Sequence, residues 1–357
     1  MTDPSALARP MPGLDLARLE PYLADRLPLS GRISAELFAG GKSNLTYAVS
    51  DGDRTWVLRR PPLGHTLATA HDMAREFRVL EALAGSAVPV PAVEFLCVDA
   101  DVIGTPFYVM ERRPGRALRD PDDLAALGPE QVHRVIDRLV DILVDLHAID
   151  PAAVGLADFG RPDGYNERQL QRWSRQLAAS MTVDIPGVVD LERRLGQSVP
   201  GSPPPTVVHG DYRLDNVLVD LAAAGSEASA EPEITAVLDW EMSTLGDPAG
   251  DLALTLLYAS RSVPEVTAGA SGRPAVEVPG HPSEAEIVRR YVERSGREVP
   301  DLRWYSAFAR FKLAAIAQGV HHRYLGGGYG DLPGFAGIGA VVAPLMTEAL
   351  HILDGEN

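Results

Sequence analysis

The sequence predicts an α+β chain in two lobes. Residues 1–113 form a small, mainly antiparallel-sheet lobe, and residues 114–357 a large, mainly helical one. Three observations predict this. Strand-like runs crowd the first 110 or so residues around one helical stretch. Val132, Val135, Ile136, Leu139, Val140, Leu143 and Leu146 then repeat at helical spacing, the pattern of a central buried helix. Finally, a capped helix start at Ser283 and two long stretches, 304–325 and 338–353, make the C-terminal part helical.

The elements follow in order. Residues 1–13 are Pro-rich and expected to be loose. Glu36–Val49 and Thr55–Arg59 alternate or run apolar on either side of Asp51-Gly52-Asp53. Asp-Gly between apolar runs is a good hairpin signal, because glycine accepts the positive φ of a tight turn. His71–Ala84 reads as a helix with Met73, Phe77, Leu80 and Ala84 on one face. Val93–Val98 and Pro106–Met110 return to strand. Gly115–Asp123 is a polar connector, and Gly196–Thr206 has the composition of a loop. Two short strands follow, separated by the polar tip Ala222–Pro232, and Val263–Pro282 is a further Gly/Pro-rich loop. Ser283 with Glu286 three residues later is a capping box, opening a helix through Tyr291. Trp304–Leu325 and Ile338–Leu353 are terminal helices, and there is no internal repeat.

Composition narrows the function classes. The chain has 357 residues, 45% apolar and 23% charged, ordinary for a globular protein. Its formal charge of −16 argues against binding a nucleic-acid backbone or an anionic membrane surface. One cysteine, Cys97, excludes an internal disulfide and an all-cysteine zinc site. No apolar run approaches the roughly 20 residues that span a bilayer. The N-terminus lacks the basic start and apolar core of a signal peptide, so the expected compartment is cytoplasmic.

The most specific stretch is Val207-Val-His209-Gly-Asp211-Tyr-Arg-Leu-Asp-Asn216-Val-Leu-Val219, followed by Ala236-Val-Leu-Asp239-Trp240-Glu241. Asp211 and Asn216 stand five positions apart between apolar runs, and Asp239 ends another such run. Asp211 alone would read as a turn former. Three polar groups in this order between strands read as a site: a carboxylate able to accept a hydroxyl proton, an amide oxygen able to ligate a cation without adding charge, and a second, metal-binding carboxylate. Between His209 and Leu254 there are ten Asp or Glu and one basic residue, Arg213, a field able to attract magnesium or a cationic acceptor.

His-Gly-Asp-x-x-x-x-Asn, then Leu-Asp-Trp-Glu, then Gly246-Asp247-Pro-x-x-Asp251-Leu resembles the aminoglycoside phosphotransferase family, related to choline and homoserine kinases, with the protein-kinase-like fold. The resemblance runs roughly from Ile33 to Leu325. It implies an ATP- and Mg2+-dependent transfer of the γ-phosphate to a hydroxylated small molecule, with Asp211 as base and magnesium held by Asn216 and Asp239. His209 would brace the loop. Asp251 would brace it too, whereas Gly246-Asp247-Pro248 is a good helix start, so Asp247 is read as a cap. Protein kinases proper carry Arg where Gly210 stands and Phe-Gly where Trp240-Glu241 stands, so a protein acceptor is disfavoured.

The same resemblance directs attention to the nucleotide grip of the first lobe. Gly40-Gly41-Lys42-Ser43-Asn44 offers glycines for close backbone approach and Ser43 and Asn44 as donors, although a Gly-Gly turn by itself is more often a plain hairpin. Arg59 stands where protein kinases keep a phosphate-binding Lys, and Arg pairs phosphates bidentately. Arg60 should point to the other face of the strand. Glu76 shares the buried face of Met73 and Leu80, and a buried carboxylate wants a cation, for which Arg59 is the candidate. Phe107–Arg112 would enter a hinge whose backbone near Glu111–Arg113 binds the adenine edge.

Three readings of function stay open. Val-Leu-Arg-Arg-Pro-Pro, His71 to Glu76, and Gly104–Glu111 look like the subgroup similar to the kinase domains fused to some acyl-CoA dehydrogenases. That likeness sets a hydroxyacyl-CoA or other metabolite beside an aminoglycoside as acceptor. The third reading, a nucleotide-binding regulatory protein without turnover, would need a defect in Asp211, Asn216 or Asp239, and none is present. Lys312, His322 and Arg323 on the late helix are either acceptor-pocket residues or a polar helix face.

Overall fold

The computed structural model describes residues 11–38, 44–63, 72–221, 232–260, 274–327 and 337–355. Gly41, Lys42, Ser43 and His71, and most of the tip 222–232 and of the loop 263–282, lie outside them. The chain divides into two compact units. One runs to Ser86 and includes Val90–Pro114; the other takes Ala87–Pro89 and everything from Gly115.

The first unit is α1 (Leu16–Ala24), β1 (Ser34–Leu37), β2 (Leu45–Ser50), β3 (Thr55–Arg60), α2 (Met73–Leu83), β4 (Val93–Cys97), α3 (Ala100–Ile103) and β5 (Phe107–Glu111). The strands make one antiparallel sheet in the order β1-β2-β3-β5-β4. The β2–β3 hairpin turns at Asp51–Arg54, where Asp51 Oδ1 accepts from the amides of Asp53 and Arg54 and Gly52 takes φ +99°. Period-two alternation then sorts the side chains. Leu58, Phe107 and Val109 face a core shared with Leu19 and Leu23 of α1. Arg59 and Tyr108, which sit opposite each other in the β3–β5 register, alternate with them and face α2. Arg60 points away from Arg59: its guanidinium is buried and donates to the carbonyls of Gly13 and Ile103.

α1 and α3 are not among the elements expected from the sequence. Both are short, and both are opened by a single aspartate: Asp15 accepts from the amides of Ala17 and Arg18, and Asp99 from that of Asp101.

The second unit is α4 (Pro121–Ala125), α5 (Pro129–Ala148), α6 (Tyr165–Ser180), α7 (Val188–Gln197), β6 (Thr206–Val208), β7 (Val217–Asp220), β8 (Glu233–Val237), β9 (Thr244–Gly246), α8 (Pro248–Ser260), α9 (Glu284–Ser295), α10 (Arg303–Leu325) and α11 (Val342–Asp354). The connector expected at 115–123 contains the start of α4, and α6 and α7 fill a stretch where no element is expected from the sequence. α9 opens on the Ser283–Glu286 capping box and runs four residues past Tyr291. The core joins α6, α7, α8, α10 and α11 through Trp173, Leu254, Phe311 and Leu345 among others. No helix among the described residues is long and apolar enough to cross a membrane.

Two small antiparallel pairs position the motif. β7 pairs with β8, and β6 pairs with β9, so the chain leaves both pairs through adjacent connectors: 209–216 and 238–243. Val237 also donates its amide to the carbonyl of Pro89 at 2.7 Å, tying Ala87–Pro89 to this unit.

Candidate active site

The two connectors are hydrogen-bonded to each other. The Leu238 amide donates to the Asn216 carbonyl at 2.8 Å, and the Leu238 carbonyl lies 2.9 Å from His209 Nε2. The Asp211 amide donates to His209 Nδ1 at 3.2 Å. With Nδ1 an acceptor, Nε2 must carry the proton and donate to Leu238, which fixes the tautomer. His209 is fully buried, its ring 4.7 Å from that of Trp240. Gly210 takes φ +82°, and a Cβ there would stand 2.7 Å from the Met242 carbonyl oxygen, so conformation and space both require glycine.

Asp211 is held at both carboxylate oxygens. Asn216 Nδ2 donates to Oδ2 at 2.9 Å and to the Asp211 carbonyl at 2.8 Å, while the Tyr258 hydroxyl donates to Oδ1 at 2.7 Å. Only an amide nitrogen can face two acceptors, so the Asn216 Oδ1 is turned away from Asp211. Asp239 sits at φ +65°, the one non-glycine residue with positive φ among those described. Such a conformation costs on the order of 1 kcal/mol and gathers at functional sites.

One stripe of α8 holds the loop. Asp251 Oδ2 accepts from the His209 amide at 2.6 Å and Oδ1 from the Gly210 amide at 2.8 Å. Thr255 donates to the Tyr212 carbonyl at 3.0 Å. Tyr258 reaches Asp211. Positions 251, 255 and 258 share one face at helical spacing. Burial pushes the Asp251 carboxyl up, but His147, 3.6 Å away, outweighs it together with His209 and the Gly210 amide, so the carboxyl sits below its ordinary range. Asp247 caps α8 through the Ala249 amide at 3.0 Å and accepts from Tyr305 and Asn166.

Lys312 of α10 donates to the Gly210 carbonyl at 2.6 Å and lies 5.5 Å from the Trp173 ring centre. Burial pulls its ammonium below the ordinary lysine value, although the charges of Asp211 and Asp251 oppose this. Thr255 and Tyr258 were not foreseen. Their signal was present: with Asp251 they are the polar i, i+4, i+7 positions of a helix whose surroundings are Leu252, Ala253, Leu254, Leu256 and Leu257, all buried.

In the first unit Glu76, 2% exposed, gathers three donors. Arg59 Nε lies 2.8 Å from Oε2, Asn44 Nδ2 2.8 Å from Oε1, and the Tyr108 hydroxyl 3.0 Å from Oε2. Glu111 ends β5 with its amide donating to the Ala92 carbonyl and its carboxylate accepting from the Ala92 amide, both at 2.8 Å. Its amide is therefore used inside the unit. Among the described residues no three His, Cys, Asp or Glu side chains cluster as a metal cage. Asn216 and Asp239, the metal ligands expected from the sequence, stand on the two hydrogen-bonded connectors 209–216 and 238–243.

The chain resembles known proteins over nearly its whole length. Acyl-CoA dehydrogenase family member 10 of Mus musculus is 39% identical over 314 residues, 87% of this chain and 28% of that protein. Acyl-CoA dehydrogenase family member 11 of Homo sapiens is 34% identical over 363 residues, 98% of this chain and 45% of that protein. The chain thus spans less than half the length of these relatives. A crystal structure from Ralstonia eutropha JMP134, provisionally described as an aminoglycoside phosphotransferase, is 32% identical with TM-score 0.79, covering 96% of this chain and 99% of that one. A thermostable mutant of aminoglycoside phosphotransferase APH(4)-Ia, in ternary complex with ADP and hygromycin B, shares the two-lobed kinase-like fold at TM-score 0.56 and 17% identity, covering 94% of this chain and 98% of that one. The model of the phosphotransferase enzyme family (APH) matches residues 34–287, which contain both the Glu76 cluster and the Asp211 loop, and the chain belongs to that family.

Proposed function

We propose that this chain transfers the γ-phosphate of ATP to a hydroxyl of a small molecule, with Asp211 as the base. The observation that carries this reading is the Asp211 carboxylate, held at both oxygens by neutral donors on a loop bound to α8. Asp211 accepts the proton of the acceptor hydroxyl as its oxygen bonds to the γ-phosphorus; the bond from that phosphorus to the β–γ bridging oxygen breaks and ADP leaves. The carboxylate is fixed before the acceptor arrives, so little reorganisation is needed at the moment of transfer. Asn216, with Oδ1 turned away from Asp211, and Asp239, in its left-handed conformation, would hold magnesium. Bound there, the ion would neutralise charge on the phosphates. Arg59, oriented by Glu76, is the proposed phosphate ligand of the first unit, with Asn44 on the same carboxylate and Gly41 and Ser43, just before Asn44 in sequence, as further donors.

A metabolite acceptor such as a hydroxyacyl thioester is favoured over an aminoglycoside. Identity is 34–39% to the acyl-CoA dehydrogenase family members, over 87–98% of this chain. Lys312 beside the Gly210 carbonyl also disfavours a polycation next to Asp211, because like charges repel at short range. The test is magnesium-dependent ATP consumption across hydroxyacyl thioesters, amino alcohols, sugars and aminoglycosides. Turnover with a hydroxyacyl thioester above the others is expected. Turnover confined to aminoglycosides would overturn the acceptor class, and ATP binding with no turnover on any compound would favour a regulatory protein.

A further inference from the structure

We propose that Tyr258 is a positioning residue for the Asp211 carboxylate, selecting which lone pair faces the acceptor hydroxyl. This deepens the reading above and rests on Asp211 acting as base. Asn216 alone cannot set the carboxylate plane: its Nδ2 holds Oδ2 and the Asp211 carbonyl, and rotation about the side chain would still swing Oδ1. The Tyr258 hydroxyl, 2.7 Å from Oδ1, removes that freedom. It comes from α8, the same helix that fixes the backbone amides of His209 and Gly210 through Asp251 and the Tyr212 carbonyl through Thr255. Side chain and backbone of Asp211 are thus referred to one rigid element, which is what a preorganised base requires.

The phenol is itself fixed. The Arg213 guanidinium lies 4.4 Å from the Tyr258 ring centre and pairs with Asp215, so the ring is stacked while its hydroxyl is aimed at Asp211. Burial, and then the negative charge of Asp211, push the Tyr258 hydroxyl well above its ordinary range, so it remains a donor at every working pH. It therefore directs the carboxylate without competing for the acceptor's proton.

Tyr258→Phe removes the hydroxyl and keeps the ring under Arg213. With Mg·ATP and the panel compound of highest turnover, kcat is expected to fall about 10- to 100-fold, the worth of one hydrogen bond to a charged group. KM for ATP should move less than about 2-fold and the melting temperature by only a few degrees. The 13C resonance of the Asp211 carboxyl at neutral pH, assigned by its loss in Asp211→Asn, should also shift. An unchanged kcat, or an unchanged carboxyl resonance, overturns the proposal. A parallel rise in KM with kcat intact would do so as well, because it would mark Tyr258 as a binding residue. Wild-type kcat in Asp211→Asn would instead sink the base assignment, whatever Tyr258→Phe does.

Discussion

Glu76 and Asp211 are both carboxylates held on each oxygen by side-chain donors, yet they are held in different ways. Glu76 is almost fully buried and one of its donors is a guanidinium, so it is paired with a cation that it equally serves to orient. Asp211 is held by an amide and a phenol, both neutral, on a loop whose backbone is fixed by a separate buried carboxylate, Asp251. A carboxylate tied to a cation is a poor proton acceptor. One that is oriented by neutral donors has its direction fixed without a paired cation. Glu76 thus orients a guanidinium, whereas Asp211 is itself oriented by neutral side chains on a fixed loop.

The sharpest way to break that comparison is to remove each carboxylate. Asp211→Ala is expected to lower kcat about 1000-fold, the scale of a general base, while calorimetric ATP affinity stays within about 2-fold of wild type. Retained turnover would make Asp211 a structural residue like Glu76. Asp251→Ala should lower stability by about 4 kcal/mol in chemical denaturation, because two buried amides and His147 lose their partner.

The pH dependence of Asp251 has a definite sign. Its folded-state carboxyl lies below the ordinary 3.8, so the unfolded chain binds the proton more readily. The stability it contributes is complete above about pH 5 and is lost as pH falls through 3.8 and then through the folded value. Asp251→Asn should therefore flatten the acid limb of a stability–pH curve; an unchanged limb would refute the assignment.

Glu76→Gln should cost about 2 kcal/mol, since the amide still accepts one hydrogen bond but the charge attraction between Glu76 and Arg59 is lost. It should also weaken ATP binding about 10-fold if Arg59 grips phosphate. A stability loss with unaltered ATP affinity would restrict the cluster to a structural role. The smallest folding effect belongs to Asp239→Gly. Glycine relieves the left-handed backbone, so stability should hold or rise by up to about 1 kcal/mol while magnesium-dependent ATP affinity falls. A drop in stability with ATP affinity intact would remove Asp239 from the metal site.

Much of the fold was legible because its signals are local. The 51–54 turn, the periodicity of α5, the Ser283 capping box and α10 each follow from spacing within one element. The elements that escaped are α1 and α3, short and marked only by a single capping aspartate, α6 and α7, and the β6–β9 pair, whose partners are 36 to 40 residues apart in sequence. Strands of three residues carry too little pattern to announce a partner at that distance.

The sequence by itself determined the order and spacing of His209, Asp211, Asn216 and Asp239, and through them the resemblance that implies a phosphotransferase, because a motif is written in the chain whatever its packing. The tertiary structure alone decided what holds them. α8 presents Asp251, Thr255 and Tyr258 to four consecutive loop residues, and Lys312 arrives from a helix about 100 residues further on. Those contacts depend on which face of each helix meets the loop, and packing across the whole unit sets that face.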